Sequence, residues 1–275
     1  MAISAADVMK LRKATGAGMM DCKKALGEAD GDFDRAVEII RERGKLVANK
    51  RADRDATEGA ALAKVSDDKK FAALVVLNCE TDFVAKNEGF VAFTEKILDL
   101  AIANKPADLE ALKALDMDGR SVEAHVTEQT GIIGEKLELS AYETVQAEDT
   151  IAYIHPGNKL ATIVGFSKEV ADEHVAKDIA MQVAAMAPVA VDKDDVPAEV
   201  VDQELKIAKE KFRQEGKPEN MLDKIAQGAL NKFFKESTLL NQIYVKDGKI
   251  TIREFLASND KELNVTDFKR FTLNA

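Results

Sequence analysis

The N-terminal part of the chain shows apolar positions at helical spacing, separated by two polar breaks. Ser4 and Asp7 form an S-x-x-D start, which is typical of a capped helix, and the glycines of "TGAG" end that helix. "MMDCKKALGEA" predicts a second helix, and "DGDFDRAVEIIRERG" predicts a third that begins after Asp32 and ends at Gly44. The pattern therefore predicts a three-helix module and a polar linker, together residues 1–55, where the linker is irregular or continues the third helix in part.

Two later segments share one order of elements. "KFAALVVLNCETDF" and "NKLATIVGFSKEV" each contain a short apolar run and a loop, and each is followed by an amphipathic helix that ends before a proline. Further strands are predicted in "GAALAKVS", "TIAYIHP" and "GEKLELSAYETVQA". We infer two copies of one α+β unit, residues 56–140 and 141–275, and hence an α+β fold class.

Residues 197–236 have a different pattern. "PAEVVDQELKIAKEKFRQEG" and "KPENMLDKIAQGALNKFFKES" each place apolar residues three and four positions apart on a charged background. The short "GKP" link predicts an antiparallel helical hairpin of coiled-coil type, inserted in the second copy. Such an arm has little core of its own, so it is expected to contact a partner or another copy. A helix over "TIREFLAS" and a strand over "VTDFKRFTL" follow.

Composition narrows the classes of function. The net charge is -10, which disfavours general nucleic-acid binding because that depends on neutralising phosphates. Two cysteines make no disulfide framework and indicate a reduced, cytoplasmic location. The N-terminus has no signal-peptide pattern, and no apolar run approaches the roughly 20 residues of a membrane helix. A basic run at residues 41–54 is either a solvated linker or an RNA contact.

No motif for catalysis or cofactor binding occurs in the chain. The phosphate-binding G-x-x-x-x-G-K-[ST] pattern is missing, and "TGAG" follows a predicted helix rather than a strand. The three histidines form no metal or nucleophile motif. Cys22 and Cys79 are predicted to be small core residues, and His174 is predicted to lie on the surface at a helix start. We therefore expect a protein that is not an enzyme and binds neither cofactor nor metal.

Two longer motifs resemble a known family. "LRKATGAGMMDCKKAL" and "NCETDFVAKNEGF" are similar to the two signatures of bacterial elongation factor Ts, the guanine-nucleotide exchange factor for elongation factor Tu. The resemblance covers nearly the whole chain. It implies a ubiquitin-associated-like N-terminal module, a two-repeat core and a projecting dimerisation arm. It also implies elongation factor Tu as the partner, with either one heterodimer or a dimer of heterodimers, and neither direct nucleic-acid nor membrane contact.

The resemblance assigns partner contacts to particular residues. The family's Asp-Phe pair corresponds to Asp82 and Phe83, and Phe83 is implied to enter between helices of the partner's nucleotide domain near its Mg²⁺ site. Pro156 stands where the family usually has glycine, so this segment departs from the family pattern at the loop that carries His155. The C-terminal helical module of some members is not expected here. The implied contact residues are Arg12, Met19, Met20, Thr81, Asp82, Phe83, Val84, Ile133, Gly134 and His155.

The residues alone leave other interpretations open. Thr81 or Asp82 could cap a helix, with Phe83 as its hydrophobic staple. A general adaptor would use the N-terminal module alone, an RNA-binding protein would use residues 41–54, and an enzyme would need a site that no motif reveals. The resemblance favours GDP release from elongation factor Tu during translation elongation in the cytoplasm.

Overall fold

The computed structural model describes residues 3–273 and begins with a module of helices. The three helices are α1 (Ala5–Thr15), α2 (Met19–Glu28) and α3 (Phe33–Arg51). The Ser4 hydroxyl accepts a hydrogen bond from the Asp7 N–H, and the Asp7 carboxylate accepts one from the Ser4 N–H. Gly16 ends α1 at a φ of 72°, which glycine adopts without strain. Asp32 caps α3, so the predicted helix starts are confirmed.

The first unit, residues 58–146, is an antiparallel sheet with helices on its outer face. Its elements are β1 (Glu58–Val65), β2 (Phe71–Cys79), α4 (Asp82–Ala85), α5 (Glu88–Asn104), α6 (Leu109–Ala114), β3 (Asp116–Met117), β4 (Arg120–Ser121), α7 (Val122–Ile133) and β5 (Glu138–Gln146). The sheet order is β1-β2-β5. Phe90 and Ile97 of α5 pack on the outer face of this sheet, together with Val126 of α7. The predicted boundary between the two copies, at residue 140, falls within β5. The division of the chain into domains stays a prediction.

The second unit, residues 149–272, repeats the arrangement. Its elements are β6 (Asp149–Ile154), β7 (Leu160–Phe166), α8 (Glu173–Met186), α9 (Ala198–Gln214), α10 (Leu222–Ser237), α11 (Ile252–Asn259) and β8 (Val265–Thr272). The sheet order is β6-β7-β8. In both units, therefore, two strands form a hairpin and the third strand pairs with the second strand of that hairpin. Val175 and Ile179 of α8 pack on the outer face with Leu256 of α11. The predicted strands and the helix over "TIREFLAS" are confirmed.

The two sheets pack face to face through small and medium apolar side chains. Ala61, Leu74 and Val145 of the first sheet form one cluster with Ala161 and Ile163 of the second. Every residue of β2 is buried, because helices cover one face and the other sheet covers the second. A strand covered on both faces needs no polar alternation, which explains the continuous run "FAALVVL". The layers are helix, sheet, sheet and helix, and the α+β class is confirmed.

Helix α3 is longer than the pattern predicts. Gly44 was expected to end it, and this prediction is wrong: the helix continues to Arg51, into part of the predicted linker. Gly44 is buried where α3 crosses α7, and a Cβ on Gly131 of α7 would lie 2.2 Å from the Gly44 Cα. The close approach of the two backbones requires glycine at position 131, whereas a Cβ on Gly44 would make only ordinary contacts, at 3.7 Å or more. The crossing attaches the N-terminal module to the first unit.

Helices α9 and α10 lie along each other in the second unit. Lys209 Nζ is 2.5 Å from Asp223 Oδ1, and Arg213 is 2.7 Å from Glu219 across the link between the helices. Ala208 is the buried residue of α9, and Leu222, Ala226 and Leu230 are the buried residues of α10, so the core between the two helices is small. No helix within residues 3–273 has the length and apolar character needed to cross a membrane.

Candidate functional site

The turn after β2 exposes one aromatic side chain to solvent. Thr81 caps the short helix α4, with its hydroxyl oxygen 3.4 Å from the Val84 N–H nitrogen. Ala85 is buried and Val84 is half-buried against the core of the first unit. Phe83 is 84% exposed, so the staple interpretation of Phe83 is wrong. The inward positions of α4 are occupied by Val84 and Ala85, which leaves the Phe83 position facing solvent.

A second segment, the one that follows α7, lies beside this turn. The Thr81 N–H and hydroxyl donate to the two oxygens of Glu135, over 3.0 and 2.8 Å. The Lys136 N–H donates to Glu80 over 2.6 Å. Ile133 is half-buried against the same core, and Gly134 ends α7 at a φ of 79°. The structure therefore brings Ile133 and Gly134 next to the turn of Thr81, Asp82, Phe83 and Val84.

Asp82 lies at the edge of the turn and is paired within its own helix. Lys86 donates to its carboxylate over 2.6 Å. This hydrogen bond, aided by the charges of Lys86 and Lys159, holds the pKa of Asp82 below its ordinary value. The Lys86 and Asp82 side chains are 72% and 45% exposed, and exposed ion pairs contribute little to stability. Asp82 is thus a solvated charge beside the exposed ring.

The N-terminal motif presents a second apolar surface. Met19 and Met20 begin α2 and are 41% and 65% exposed, while Cys22, Ala25 and Leu26 are the buried residues of this helix. Arg12 is exposed on α1. The break between α1 and α2 is close to the end of α7, since a Cβ on Gly16 would lie 3.7 Å from Ile132 Cδ1. One chain of contacts therefore joins the N-terminal motif, the end of α7 and the turn after β2.

His155 lies in the tight loop between β6 and β7. The Asn158 N–H donates to the His155 carbonyl over 3.0 Å, and Gly157 has a φ of 93°. Proline followed by glycine is the combination that a type II turn requires, so Pro156 is compatible with an ordered loop. The exposed His155 ring accepts or donates one hydrogen bond at 2.9 Å with the Tyr153 hydroxyl. The structure does not join His155 to the Thr81–Glu135 contacts.

The two cysteines and His174 lie where the sequence predicts them. Cys22 and Cys79 are buried, as predicted. Burial raises the pKa of Cys79 to about 12, so its thiol is not a nucleophile at neutral pH. His174 is exposed at the start of α8, as predicted. Within residues 3–273, no group of His, Cys, Asp and Glu side chains is placed to hold a metal ion.

Comparison with known proteins identifies the family. The family model described as Elongation factor TS matches residues 80–275. This chain belongs to the elongation factor Ts family. The match includes the turn of Asp82 and Phe83, the end of α7 and the loop of His155, and it confirms the resemblance inferred from the two sequence motifs.

Curated relatives extend the similarity to the N-terminal module. Elongation factor Ts of Porphyromonas gingivalis is 54% identical over 276 residues, covering 100% of both chains. Elongation factor Ts of Azobacteroides pseudotrichonymphae is 52% identical over 274 residues, covering 100% of this chain and 99% of its own. Elongation factor Ts of Christiangramia forsetii is 52% identical over 272 residues, covering 98% of each. The family similarity is therefore full-length.

Proposed function

We propose that this protein is a non-enzymatic guanine-nucleotide exchange factor of translation elongation in the cytoplasm. It binds elongation factor Tu carrying GDP and promotes GDP release. Membership of the elongation factor Ts family supports this function. The observation that carries the mechanism is Phe83, which is 84% exposed on a turn whose two flanking elements, β2 and α5, are anchored in the core. A rigid support of this kind favours insertion of the ring into a partner.

The proposed mechanism depends on differential binding. Phe83 enters between helices of the partner's nucleotide domain, beside its Mg²⁺ and phosphate site, and the displacement weakens GDP binding. By linkage, GDP weakens binding of this protein by the same factor. A 10⁴-fold effect requires about 5.5 kcal/mol of coupling. A buried aromatic at an interface contributes about 2 kcal/mol or more, so Phe83 supplies a large share. GTP then binds the empty site and expels the exchange factor.

Further contacts complete the proposed complex. Arg12, Met19 and Met20 contact the same partner domain from the N-terminal module, which we propose to be ubiquitin-associated-like. Ile133 and Gly134 contact it beside Phe83, and His155 contacts the partner's third domain. The pair of helices α9 and α10 acts as a coiled-coil arm that joins two heterodimers. The proposed domains are residues 1–55, 56–140 and 141–275.

The experiment is release of fluorescent GDP from the cognate elongation factor Tu. Wild-type protein is expected to accelerate release, and Phe83→Ala to lose most of the acceleration because the inserting ring is gone. Met186→Ala is a matched control, since Met186 is also an exposed apolar residue and lies on α8 of the second unit. Absence of acceleration by wild type would contradict the proposed function. Equal acceleration by Phe83→Ala would contradict the role of the ring.

RNA binding through residues 41–54 has less support. Three of its arginines already face carboxylates: Arg41 is 3.5 Å from Glu128, Arg43 is 2.5 Å from Glu28, and Arg51 is 2.7 Å from Glu80. Phosphate binding depends on cations that release counterions when they meet RNA, and these side chains already have protein counterions. An adaptor built on the N-terminal module alone is disfavoured by the close crossing of α3 and α7, which makes the module part of the larger structure.

A further inference from the structure

The turn that carries Phe83 and the segment after α7 are joined by hydrogen bonds in both directions. The Glu80 carboxylate accepts from the Lys136 N–H over 2.6 Å. The Glu135 carboxylate accepts from the Thr81 N–H over 3.0 Å and from the Thr81 hydroxyl over 2.8 Å. Each segment thus provides one carboxylate and one backbone donor to the other. We call these contacts of Glu80, Thr81, Glu135 and Lys136 the carboxylate clasp.

The clasp acts on the residue that begins α4. Thr81 is the N-cap of this helix, and its hydroxyl oxygen accepts from the Val84 N–H while the hydroxyl hydrogen is directed to Glu135. Glu135 therefore fixes both the backbone and the side chain of Thr81. A helix as short as α4, which spans Asp82–Ala85, has no stability of its own. Its orientation, and with it the direction of the Phe83 ring, depends on what holds Thr81.

The same clasp is connected to the N-terminal module. Arg51, the last residue of α3, donates to the Glu80 carboxylate over 2.7 Å. The Lys136 ammonium donates to the Arg54 carbonyl over 3.1 Å. Glu80 thus accepts both from the backbone after α7 and from the end of α3, and its side chain is only 15% exposed. Hydrogen bonds to an ionised group are about twice as strong as neutral ones.

We propose that Glu80 and Glu135 are positioning residues for GDP release: they hold the Thr81 turn in the one orientation that presents Phe83 to the partner. This rests on the proposed exchange function. Without the clasp the ring samples several orientations in the docked complex, so it is inserted in a smaller fraction of the bound molecules and the maximal rate of GDP release falls. Neither carboxylate needs to touch the partner or the nucleotide. The clasp also sets the turn relative to the N-terminal module through Arg51.

The first test measures the mobility of the ring position without any partner. The chain has no tryptophan, so Phe83→Trp introduces a single fluorescent reporter. Glu80→Gln or Glu135→Gln, added to this variant, is expected to increase the amplitude of the nanosecond component of anisotropy decay roughly twofold. Glu143→Gln, an exposed glutamate of β5, makes the same charge change and is expected to leave the decay unchanged. Identical decays in all variants would overturn the proposal.

The second test measures GDP release from elongation factor Tu with the native Phe83. Glu80→Gln and Glu135→Gln are expected to lower the maximal release rate about tenfold, the loss expected for one charge-assisted hydrogen bond. The concentration giving half-maximal release should stay within about twofold, because the remaining contact surface is intact. Thr81→Val is expected to behave like Glu135→Gln, because it removes the hydroxyl that donates to Glu135.

The two readouts separate this inference from the exchange function. If wild type does not accelerate GDP release, the proposed function fails, while the anisotropy decays still decide whether the clasp orients residue 83. If wild type accelerates release and the Glu80 and Glu135 variants match it, the positioning role is excluded. A change in half-maximal concentration alone would assign the two carboxylates to the contact surface and would also overturn it.

Discussion

The two units have the same sheet order but differ at the connection between strand and helix. In the first unit the connection between β2 and α5 contains α4 and exposes Phe83. In the second unit the connection between β7 and α8 contains no aromatic residue, and its apolar Val170 is half-buried against the core. The Val170 N–H donates to Asp149 over 2.9 Å, which attaches this connection to its own sheet. The shared fold therefore does not by itself expose an aromatic ring.

The units also differ in what lies between the covering helix and the third strand. The first unit places α6 and α7 there; α7 crosses α3, and the segment that follows α7 contributes Glu135 and Lys136 to the clasp. The second unit places α9, α10 and α11 there; α11 packs in the core, whereas α9 and α10 pack mainly against each other. The two units share one framework but use it differently. The first unit has a surface that is attached to the N-terminal module, and the second has a pair of helices with few contacts to its core.

The largest expected difference between the units comes from shortening the apolar residue in each connection. Phe83→Ala should lower the acceleration of GDP release about 30-fold, as for loss of roughly 2 kcal/mol at an interface, without changing the melting temperature. Val170→Ala should leave release unchanged and lower stability by about 1 kcal/mol, since it removes buried methyl groups. Release kinetics and thermal unfolding of both variants measure this. The comparison fails if Val170→Ala impairs release as strongly as Phe83→Ala.

The next prediction concerns the crossing of α3 and α7, which is made by the first unit. Gly131→Ala places a Cβ 2.2 Å from the Gly44 Cα, whereas Gly44→Ala meets atoms no nearer than 3.7 Å. Gly131→Ala should therefore destabilise the protein by about 1–3 kcal/mol through overpacking, and Gly44→Ala should be neutral or slightly stabilising, because alanine favours helix. Denaturant unfolding of the two variants tests the crossing. Equal unfolding midpoints for Gly131→Ala and wild type would contradict it.

A smaller effect is expected from acid. The Lys136 N–H, followed by Arg51, holds the pKa of Glu80 below its ordinary value of 4.5. The folded state therefore favours the ionised form, and this stabilisation is complete above the unfolded pKa and lost as the pH falls through the folded one. Glu80→Gln should lower the melting temperature by about 2–4 °C near pH 7, and the difference from wild type should shrink below about pH 4. If the difference in melting temperature between Glu80→Gln and wild type grew on acidification, the folded state would not favour the ionised form of Glu80.

The smallest effect is expected beside the ring itself. Asp82→Asn removes an exposed charge paired with Lys86, and exposed pairs contribute little. Release of GDP should change less than about fivefold, which is well below the effect of Phe83→Ala. Titrating salt in the release assay checks this, because the residual effect of Asp82 should disappear at high ionic strength. If Asp82→Asn lowered GDP release as much as Phe83→Ala does, the Asp82 carboxylate and not the ring alone would be responsible for the exchange.

Much of the framework could be predicted from local pattern. The Ser4 and Asp32 caps, the apolar strands and the amphipathic helices each depend on residues within a few positions, so sequence periodicity identifies them. Helix α7 was not predicted, although Val122, Val126 and Thr130 share its buried side, because threonine and two glutamates dilute the apolar pattern. The prediction that Gly44 ends α3 was wrong, since α3 continues to Arg51 and packs at Gly44 against Gly131, a residue far along the chain.

For the candidate site, too, some features follow from the sequence and others only from the tertiary structure. The two motifs by themselves determined the family and pointed to Asp82 and Phe83. Only the tertiary structure decided that Phe83 faces solvent, because that depends on which side of α4 the core occupies. The clasp joins residues 54 and 56 positions apart, and no local periodicity records such a pairing. The sequence determined most of the helices and strands and is the source of the proposed contact residues. The packing of the two sheets and of α3 on α7 determined which of these side chains are fixed and which of them face solvent.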